Sequence, residues 1–388
     1  MRPYALLLLS LQLACALVLS AMPVLAGSGA APPARTTPTH TISLSFDLAR
    51  RTVLGTSRIT LPAGTPLVLR CGPLEVTGGV LEEQDRTPLL VRPDRDNTIR
   101  LSAADRPRSL YISWRLQTGN QPASDNLVDP AGITLAGFWH PLPEQDMIYT
   151  VNALLPRGFT GITEASKISE QKSGDRVRFH STFAHPLASV HFVAGPYTVR
   201  SRKVSGLTLF TYFFAEDAAL AEGYLEKAGR YIQRYERLIG PYPYRRFSIV
   251  ENRLPTGYGM PTFTLLGQAV VRLPFIKDTS LGHEILHSWF GNSIFLKPDS
   301  GNWCEGLTTY LADQSYAVDR GEGVRYRKEQ LLRYNAYVHA DNAMPLADFR
   351  NASDSQPMAK KVRAIGYDKC SMVFHMLEKK IGTKKFRQ

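Results

Sequence analysis

Two histidines and two glutamates in the segment HEILHSWFGNSIFLKPDSGNWCEG have the types and spacing that suit metal-assisted hydrolysis. His283 and His287 stand four positions apart, so on a helix both imidazoles lie on one face and can reach a single ion. A catalytic zinc site takes three protein ligands and leaves a fourth position open, which makes two histidines one ligand short. Glu305 completes the set if the chain turns back after Gly291 and lays a second helix beside the first.

The glutamate beside the first histidine has a different expected role. A catalytic zinc ion lowers the pKa of water to about 7, and Glu284 is placed to accept the proton. Cys304 is an alternative metal ligand as a thiolate, but its neighbour Glu305 has the better geometry and buried free cysteines are common. The other histidines lie singly in strand, loop or helix patterns and are interpreted as packed or surface residues: His40, His140, His180, His185, His191, His339 and His375.

Hydrophobic periodicity predicts an α+β chain with two domains that would position these side chains. Residues 38–203 contain short runs of period two, such as TISLSFDL and LYISWRL, which predict an antiparallel β domain with one buried face. Near residue 216 the period becomes helical, and residues 204–388 are predicted to form a mixed α/β domain. There FSIVEN and GMPTFTLLG predict strands, and DTSLGHEILHSWFG and NWCEGLTTYLADQSYAV predict helices, the first capped by Asp278, Thr279 or Ser280.

Both ends of the chain carry expectations of their own. Residues 1–26 have the apolar run and small residues of a cleaved export signal, so we expect a periplasmic or secreted protein; an uncleaved membrane anchor is the alternative, and lipidation at Cys15 is a weaker one. Residues 27–37 are small, polar and proline-containing, which is typical of a linker. The last predicted helix stops within its first turn after Gly382, which indicates a fragment whose missing carboxy-terminal region has unknown content.

The net charge restricts the classes of binding partner, and the number of cysteines restricts the possible disulfide bonds. The net charge of +12 can attract anions, but with an export signal and no nucleic-acid motif we expect peripheral contact with an anionic membrane surface or simple solubility, and no nucleic-acid binding. Removal of the signal leaves Cys71, Cys304 and Cys370, an odd number that indicates no disulfide framework and at most one pair.

HEILHSWFGN and NWCEGLTTYLAD resemble the zinc motif of the membrane alanyl aminopeptidase family of gluzincin metallopeptidases, which includes the leukotriene hydrolases. The resemblance runs from about residue 38 to the end. It implies a thermolysin-like catalytic domain, one zinc ion held by His283, His287 and Glu305, Glu284 as base, and a peptide substrate. It also implies that Tyr367, in GYDKC, hydrogen-bonds the developing oxyanion.

Two departures from the family pattern bear on function. The second histidine and the third ligand are separated by 17 residues where the family usually has 18, and the connecting loop is expected to absorb the difference. The family's Gly-x-Met-Glu-Asn strand, whose glutamate binds the substrate amine, is here GYGMPTF, with Pro261 and Thr262 in place of Glu and Asn.

The altered strand keeps part of a substrate-binding pattern. Gly257 and Gly259 allow close approach of a peptide, Met260 is retained, and the strand can accept a substrate by edge pairing. Glu251 is either a substitute amine anchor or, as general burial preference favours, a surface group at a strand end.

Three functions therefore stay open. The leading hypothesis is an exported zinc metallopeptidase with aminopeptidase activity. The alternatives are an endopeptidase or other amide hydrolase without amine anchoring, and a non-catalytic scaffold, which would have no need for Glu284 or Tyr367.

Overall fold

The computed structural model describes residues 37–119, 125–297, 299–350 and 359–388. The chain divides into two compact units, one formed by residues 37–197 with Asn252–Leu254 and one by residues 198–251 and 255–388. The second unit starts at Thr198, before the predicted 204, because the strand that begins there pairs with the next strand along the chain. The predicted export signal and all but the last residue of the predicted linker lie outside the described residues.

The first unit consists of strands arranged in three sheets. The strands are β1 Thr39–Asp47, β2 Thr52–Leu61, β3 Leu67–Arg70, β4 Glu75–Glu83, β5 Leu89–Leu90, β6 Thr98–Leu101, β7 Arg108–Gln117, β8 Asn126–Asp129, β9 Gly132–Leu135, β10 Leu142–Pro143, β11 Ile148–Pro156, β12 Thr160–Ile162, β13 Lys167–Ser173, β14 Arg176–Thr182 and β15 Phe192–Gly195. The sheet orders are β13-β14-β11-β1-β2-β7-β4-β5, β10-β3-β6 and β12-β15-β9-β8. Most neighbours pair antiparallel, as predicted, but β1 and β11 run parallel.

The core of this unit follows from the alternation in its strands. Ile42 and Leu44 of β1 point inward, as do Leu110, Ile112 and Trp114 of β7, and all five are buried. Successive side chains of a strand point to opposite faces, so every second residue enters the core. The period-two runs therefore predict the buried face of this unit.

Two histidines occupy inward positions in the same core. His40 and His140 are fully buried, with ring centroids 5.6 Å apart in an edge-to-face arrangement. His40 Nε2 is 2.9 Å from Ser57 Oγ, and His140 Nδ1 donates to the Pro141 carbonyl at 2.9 Å. Burial lowers the pKa of His40 well below its ordinary value and lowers the pKa of His140 to about 4. Both are packed histidines, as the sequence predicts.

We expect this unit to lose stability as the pH falls from 6.5 towards 4. The pKa of His140 is lower in the folded chain, so the unfolded chain binds more protons in this window and is favoured there. At 1.36 kcal/mol per pKa unit, protonation of His140 lowers the unfolding free energy by up to about 3 kcal/mol as the pH falls through this window. Urea unfolding at pH 7 and pH 4.5 measures the difference, and His140→Gln should reduce it. Exposed His185→Gln is the control; an equal pH dependence in wild type and His140→Gln would refute the assignment.

The second unit combines one mixed sheet with helices. Its strands are β16 Thr198–Val204, β17 Leu207–Phe213, β18 Arg246–Asn252, β19 Gly257–Met260 and β20 Phe263–Gly267, in the order β16-β17-β18-β20-β19. Its α-helices are α1 Ala221–Leu238, α2 Gln268–Val271, α3 Ser280–Leu286, α4 Trp303–Thr309, α5 Ser315–Asp319, α6 Gly323–Tyr337, α7 Ala359–Arg363, α8 Cys370–Ile381 and α9 Thr383–Phe386. Short 3-10 turns cover Ala215–Leu220, Ile276–Asp278 and Leu346–Asp348, and π turns cover Tyr310–Gln314 and Ala364–Lys369.

Helix α1 anchors the helix that carries the two candidate histidine ligands. Its apolar residues recur every three or four positions and bury one face, which includes Tyr224, Ala228 and Tyr235. The Tyr235 hydroxyl donates to the Gly282 carbonyl of α3 at 2.9 Å. Leu281 of α3 is fully buried in the same core. One side of α3 is therefore fixed by packing, which leaves its polar side free for chemistry.

The prediction of one strand over GMPTFTLLG is wrong, because this stretch is a tight hairpin. β19 ends at Met260 and β20 begins at Phe263, with Met260 opposite Phe263. Pro261 and Thr262 form the turn, where proline sets the first φ angle and Thr262 adopts a φ of 69°. β19 is consequently the edge strand of its sheet.

The helices predicted around the candidate site are present but interrupted. The helix predicted over NWCEGLTTYLADQSYAV is α4, a π turn and α5. The closing helix α8 ends at Ile381 with Gly382, where φ is 82°, as its C-cap residue, and α9 follows. In the part of the chain that the structure describes, no helix is both long and apolar enough to cross a bilayer.

Candidate active site

Helix α3 carries the two histidines and the glutamate between them. His283 and Glu284 lie within the helix, and His287 is its C-cap residue with a still helical backbone. Thr279 is the N-cap residue, one of the three predicted, but its hydroxyl donates to the Phe275 carbonyl and does not cap the helix. All three functional side chains are buried, with exposed fractions of 5% or less. The four-residue spacing thus places both imidazoles on one side, as predicted.

The connection after α3 brings Glu305 back to the histidines. Asn292 N donates to the His287 carbonyl at 3.2 Å, and Gly291 adopts a φ of 105°, which favours glycine and reverses the chain. Asn302 then caps α4 by accepting a hydrogen bond from Cys304 N at 3.2 Å. Glu305 lies in the first turn of α4 and is 1% exposed. The shorter loop is therefore compatible with the return that the sequence predicts.

The three side chains form a compact donor set. One ligand atom from each of His283, His287 and Glu305 lies within 4.8 Å of the others. Glu305 Oε2 is 3.5 Å from Nε2 of each histidine. Among the described residues, neither Nε2 atom has a hydrogen-bond partner. Two buried imidazole nitrogens and one carboxylate facing a common point are the donor types and number that catalytic zinc takes.

The charges of the cluster favour a cation at its centre. Burial acts to raise the pKa of the Glu305 carboxyl, but His287 and His283 outweigh it and hold this pKa well below its usual range. Burial acts to lower the pKa of His283, but nearby carboxylates, Asp313 foremost, raise it well above its ordinary value. Positive charge between these groups is therefore stabilised, whether a proton or a metal ion supplies it.

Hydrogen bonds from the Nδ1 atoms orient the two histidine rings. His283 Nδ1 donates to Asp313 Oδ2 at 2.7 Å, and His287 Nδ1 donates to the Phe290 carbonyl at 3.1 Å. These contacts fix the tautomer that leaves each Nε2 free to ligate a metal. Asp313 was not among the predicted site residues, although it lies eight positions after Glu305 in the same predicted helix.

We expect Asp313→Ala to weaken zinc binding by about 10- to 100-fold, since the loss of an outer partner frees the His283 ring and lowers its basicity. Competition with a zinc chelator measures the affinity. Asp319→Ala is a matched control, because Asp319 is a half-exposed carboxylate of α5 that pairs with Arg234. Unchanged zinc affinity in Asp313→Ala would show that this hydrogen bond does not support the ligand.

Glu284 lies directly beneath the edge strand β19. A Cβ atom on Gly259 would approach Glu284 Oε2 to 2.6 Å and His287 Cβ to 3.3 Å. Asn292 Nδ2 donates to the Gly259 carbonyl at 3.2 Å, which ties β19 to the loop after α3. The backbone of β19 can run this close to the carboxylate only because residue 259 is glycine.

The predicted substrate-binding residues thus lie on a strand that borders the site. Gly257, Gly259 and Met260 are buried members of β19. Pro261 lies in the turn after this strand, so it does not interrupt the hydrogen-bonding edge of β19.

Tyr367 lies next to His283, in the second π turn. Its ring is nearly parallel to that of His283, at a centroid distance of 6.4 Å. The Arg363 guanidinium lies 5.4 Å from the Tyr367 ring centroid. The structure therefore brings Tyr367 next to the metal-binding cluster, where the family resemblance predicts an oxyanion donor.

Two other sequence candidates have structural roles. Cys304 is buried outside the metal-binding cluster, and burial raises the pKa of its thiol well above its ordinary value, which disfavours the thiolate. The interpretation of Glu251 as a surface group is wrong, because its side chain is fully buried. Glu251 Oε2 accepts a hydrogen bond from Phe214 N at 2.7 Å, which the sequence could not indicate because the donor lies on a distant segment.

Comparison with known proteins is consistent with this site. Residues 278–388 match the Peptidase family M1 domain, which confirms the family resemblance predicted from the motif. The chain is 24% identical over 254 residues to Leucine aminopeptidase 2 of Vanderwaltozyma polyspora, covering 61% of this chain and 37% of that relative. It is 25% identical over 177 residues to Aminopeptidase RNPEPL1 of Homo sapiens, covering 43% and 23%. The chain thus spans less than half the length of these curated relatives.

Solved structures share the fold. The M1 zinc metallopeptidase from Deinococcus radiodurans superposes with a TM-score of 0.68 at 16% identity, over 92% of this chain and 85% of that chain. A mutant of that enzyme bound to a Tyr-Ser-Ala substrate superposes with a TM-score of 0.65 at 16% identity, over 91% and 84%. The predicted fold, a β-rich amino-terminal part followed by a mixed α/β part, is therefore confirmed.

Proposed function

We infer that this chain is a zinc metallopeptidase of peptidase family M1. The observation that carries the proposal is the convergence of His283, His287 and Glu305 on one point, with Glu284 beside them. When bound there, a zinc ion would supply a Lewis acid that activates water and polarises the peptide carbonyl. The scaffold hypothesis loses support, because Glu284 and Tyr367 are both present and both lie beside the cluster.

Glu284 acts as the general base of the proposed reaction. It follows the first ligand on α3 and is 1% exposed, so its carboxylate is held beside the metal-binding cluster and away from bulk water. It accepts the proton of the attacking water and passes it to the amine that leaves. Gly259 keeps β19 close above this carboxylate, where an extended substrate can pair with the strand edge.

Tyr367 stabilises negative charge on the carbonyl oxygen. Its phenol is a neutral hydrogen-bond donor, and its ring is held beside His283. A donor fixed in advance at the point where charge develops lowers the barrier, because nothing has to reorganise as the bond forms.

We propose aminopeptidase activity, supported by the names of the curated relatives. One observation favours the alternative, an endopeptidase or other amide hydrolase. The positions where the family pattern has Glu and Asn form the Pro261-Thr262 turn and offer no carboxylate. Glu251 is a poor substitute anchor, since its carboxylate already binds a backbone amide in the interior.

Paired substrates separate these two activities. The full chain with zinc is tested on amino-acyl fluorogenic amides and on the same amides after N-acetylation. Aminopeptidase activity predicts a strong preference for the free amine. Equal cleavage of both substrates would refute amine anchoring and leave the endopeptidase hypothesis. The Glu284→Gln variant provides the background rate.

We also propose that the protein is exported to the periplasm or secreted, and that its net positive charge brings it into peripheral contact with anionic membranes. Support comes from the apolar run and small residues within residues 1–26 and from the net charge of +12. Mass spectrometry of the mature amino terminus tests the first proposal: an intact Met1 would contradict cleavage. Binding to anionic vesicles that is equal to binding to neutral ones would contradict the second.

A further inference from the structure

A short segment after α6 contacts two elements of the active site, the N-terminus of α4 and the π turn that carries Tyr367. It consists of the 3-10 turn Leu346–Asp348 and Phe349, and we call it the 346–349 segment. Phe349 is 1% exposed, so its side chain packs entirely against other residues of the protein. Its sequence neighbourhood, PLADFR, contains no motif that would draw attention to it.

The backbone of this segment supports the start of the helix that carries Glu305. The Phe349 carbonyl accepts a hydrogen bond from Asn302 N at 2.9 Å, and Asn302 caps α4. Gly301 has a φ of 70°, and a Cβ atom there would overlap the Leu346 carbonyl. The segment and the N-terminus of α4 are therefore packed backbone against backbone.

The side chain of the same residue packs against the turn that carries Tyr367. The Phe349 ring lies 6.3 Å from the Tyr367 ring in an edge-to-face arrangement. A Cβ atom on Gly366 would overlap the Phe349 ring, so the ring lies directly on the backbone of the π turn. With His283 nearly parallel to Tyr367 at 6.4 Å, the tyrosine ring has aromatic neighbours in two directions.

We propose that Phe349 is a positioning residue for Tyr367. It has no polar side-chain atom and contributes nothing to the chemistry directly. Its ring sets where the Tyr367 ring lies relative to His283, and its carbonyl ties that position to the cap of the Glu305 helix. One residue thus couples the hydrogen-bond donor for the carbonyl oxygen to the helix that carries the third ligand. The inference rests on the catalytic role of Tyr367 in the proposed function.

A small displacement of Tyr367 should be costly, because misplacing a catalytic group by about 1 Å can lower a rate about 100-fold. Phe349→Leu removes the edge-to-face contact and part of the volume. Gly366→Ala places a methyl group where the Phe349 ring lies and so displaces that ring from the π turn. We expect each to lower kcat by about 10- to 100-fold, with KM and bound zinc nearly unchanged, since neither change touches a ligand.

A double-mutant cycle with Tyr367→Phe tests the coupling. Once the hydroxyl is gone, its position no longer matters, so Phe349→Leu and Gly366→Ala should change kcat little in the Tyr367→Phe background. Phe247→Leu is the matched control, because Phe247 is fully buried in the core of the same unit, on β18. It should lower the unfolding midpoint and leave kcat unchanged.

The outcomes separate the two proposals. If Tyr367→Phe lowers kcat and Phe349→Leu lowers it by the same factor in both backgrounds, Phe349 does not act through Tyr367 and this inference fails alone. If Tyr367→Phe leaves kcat unchanged, the role of Tyr367 in the proposed function fails, and this inference with it. Loss of bound zinc in both Phe349→Leu and Gly366→Ala would assign the effect to the ligand helix and also overturn the inference.

Discussion

Glu284→Gln is expected to lower kcat by about 10²- to 10⁴-fold, the contribution typical of a general base. The amide has nearly the size of the carboxylate, so β19 can still pass over residue 284 at Gly259. What is lost is the ability to accept a proton from water. Because Glu284 is not a member of the ligand set, bound zinc should stay at one ion per chain.

Single-turnover kinetics with zinc analysis on the same sample measure both quantities. Glu226→Gln serves as the control, because Glu226 is a half-exposed carboxylate on α1 that pairs with Arg230. It should leave the rate unchanged. Retained activity in zinc-loaded Glu284→Gln would refute the assignment of the base.

Glu305→Gln should abolish zinc retention and, with it, turnover. Glu305 is the only anionic member of the ligand set in the described part of the chain, and it is ionised because the two imidazoles hold the pKa of its carboxyl low despite burial. A neutral amide oxygen is a much weaker ligand for zinc, which prefers thiolate, imidazole and carboxylate donors. The loss should exceed the roughly 10- to 100-fold expected when only an outer hydrogen-bond partner is removed.

Glu305→Asp is the informative comparison for this prediction. It keeps the charge but shortens the side chain by one methylene, so zinc affinity should fall between that of wild type and Glu305→Gln. Circular dichroism checks that both variants are folded. Wild-type zinc affinity in Glu305→Gln would mean that the third ligand is another residue.

The local part of the site could be predicted from the sequence. His283 and His287 are related by helical periodicity alone, and Glu284 follows from its place between them. Glu305 can be a ligand only if the chain reverses direction after α3, and the glycine, proline and asparagine residues of the connecting loop indicate such a reversal. These features depend on backbone geometry that holds in any protein.

Asp313 was missed because α-helical periodicity does not predict its position. Residues eight apart on an α-helix differ by about 80° around the axis, so Asp313 is not expected on the face of Glu305. The π turn Tyr310–Gln314 has more residues per turn than an α-helix, which changes the direction of the side chains that follow Glu305. Asp313 therefore contacts the ring of His283. Single π turns are rare and carry no simple sequence signature, so this contact depends on the folded context.

The predictions of one continuous strand over GMPTFTLLG and of an exposed Glu251 are wrong because both features depend on contacts between distant parts of the chain. The turn at Pro261-Thr262 requires a positive φ at a threonine, which threonine adopts uncommonly and which tertiary contacts must hold in place. The burial of Glu251 depends on Phe214 N, a donor that is far away in the sequence. Both errors concern long-range contacts.

The central claim is that His283, His287 and Glu305 hold the zinc ion on which hydrolysis depends. The most direct test strips the full chain of metal with a chelator and then titrates zinc while following cleavage of an amino-acyl amide. We predict that activity is absent without metal, rises with added zinc and saturates at one ion per chain, and that Glu305→Gln shows no such rise. Full activity in the metal-free chain, or an equal recovery in Glu305→Gln, would contradict the account.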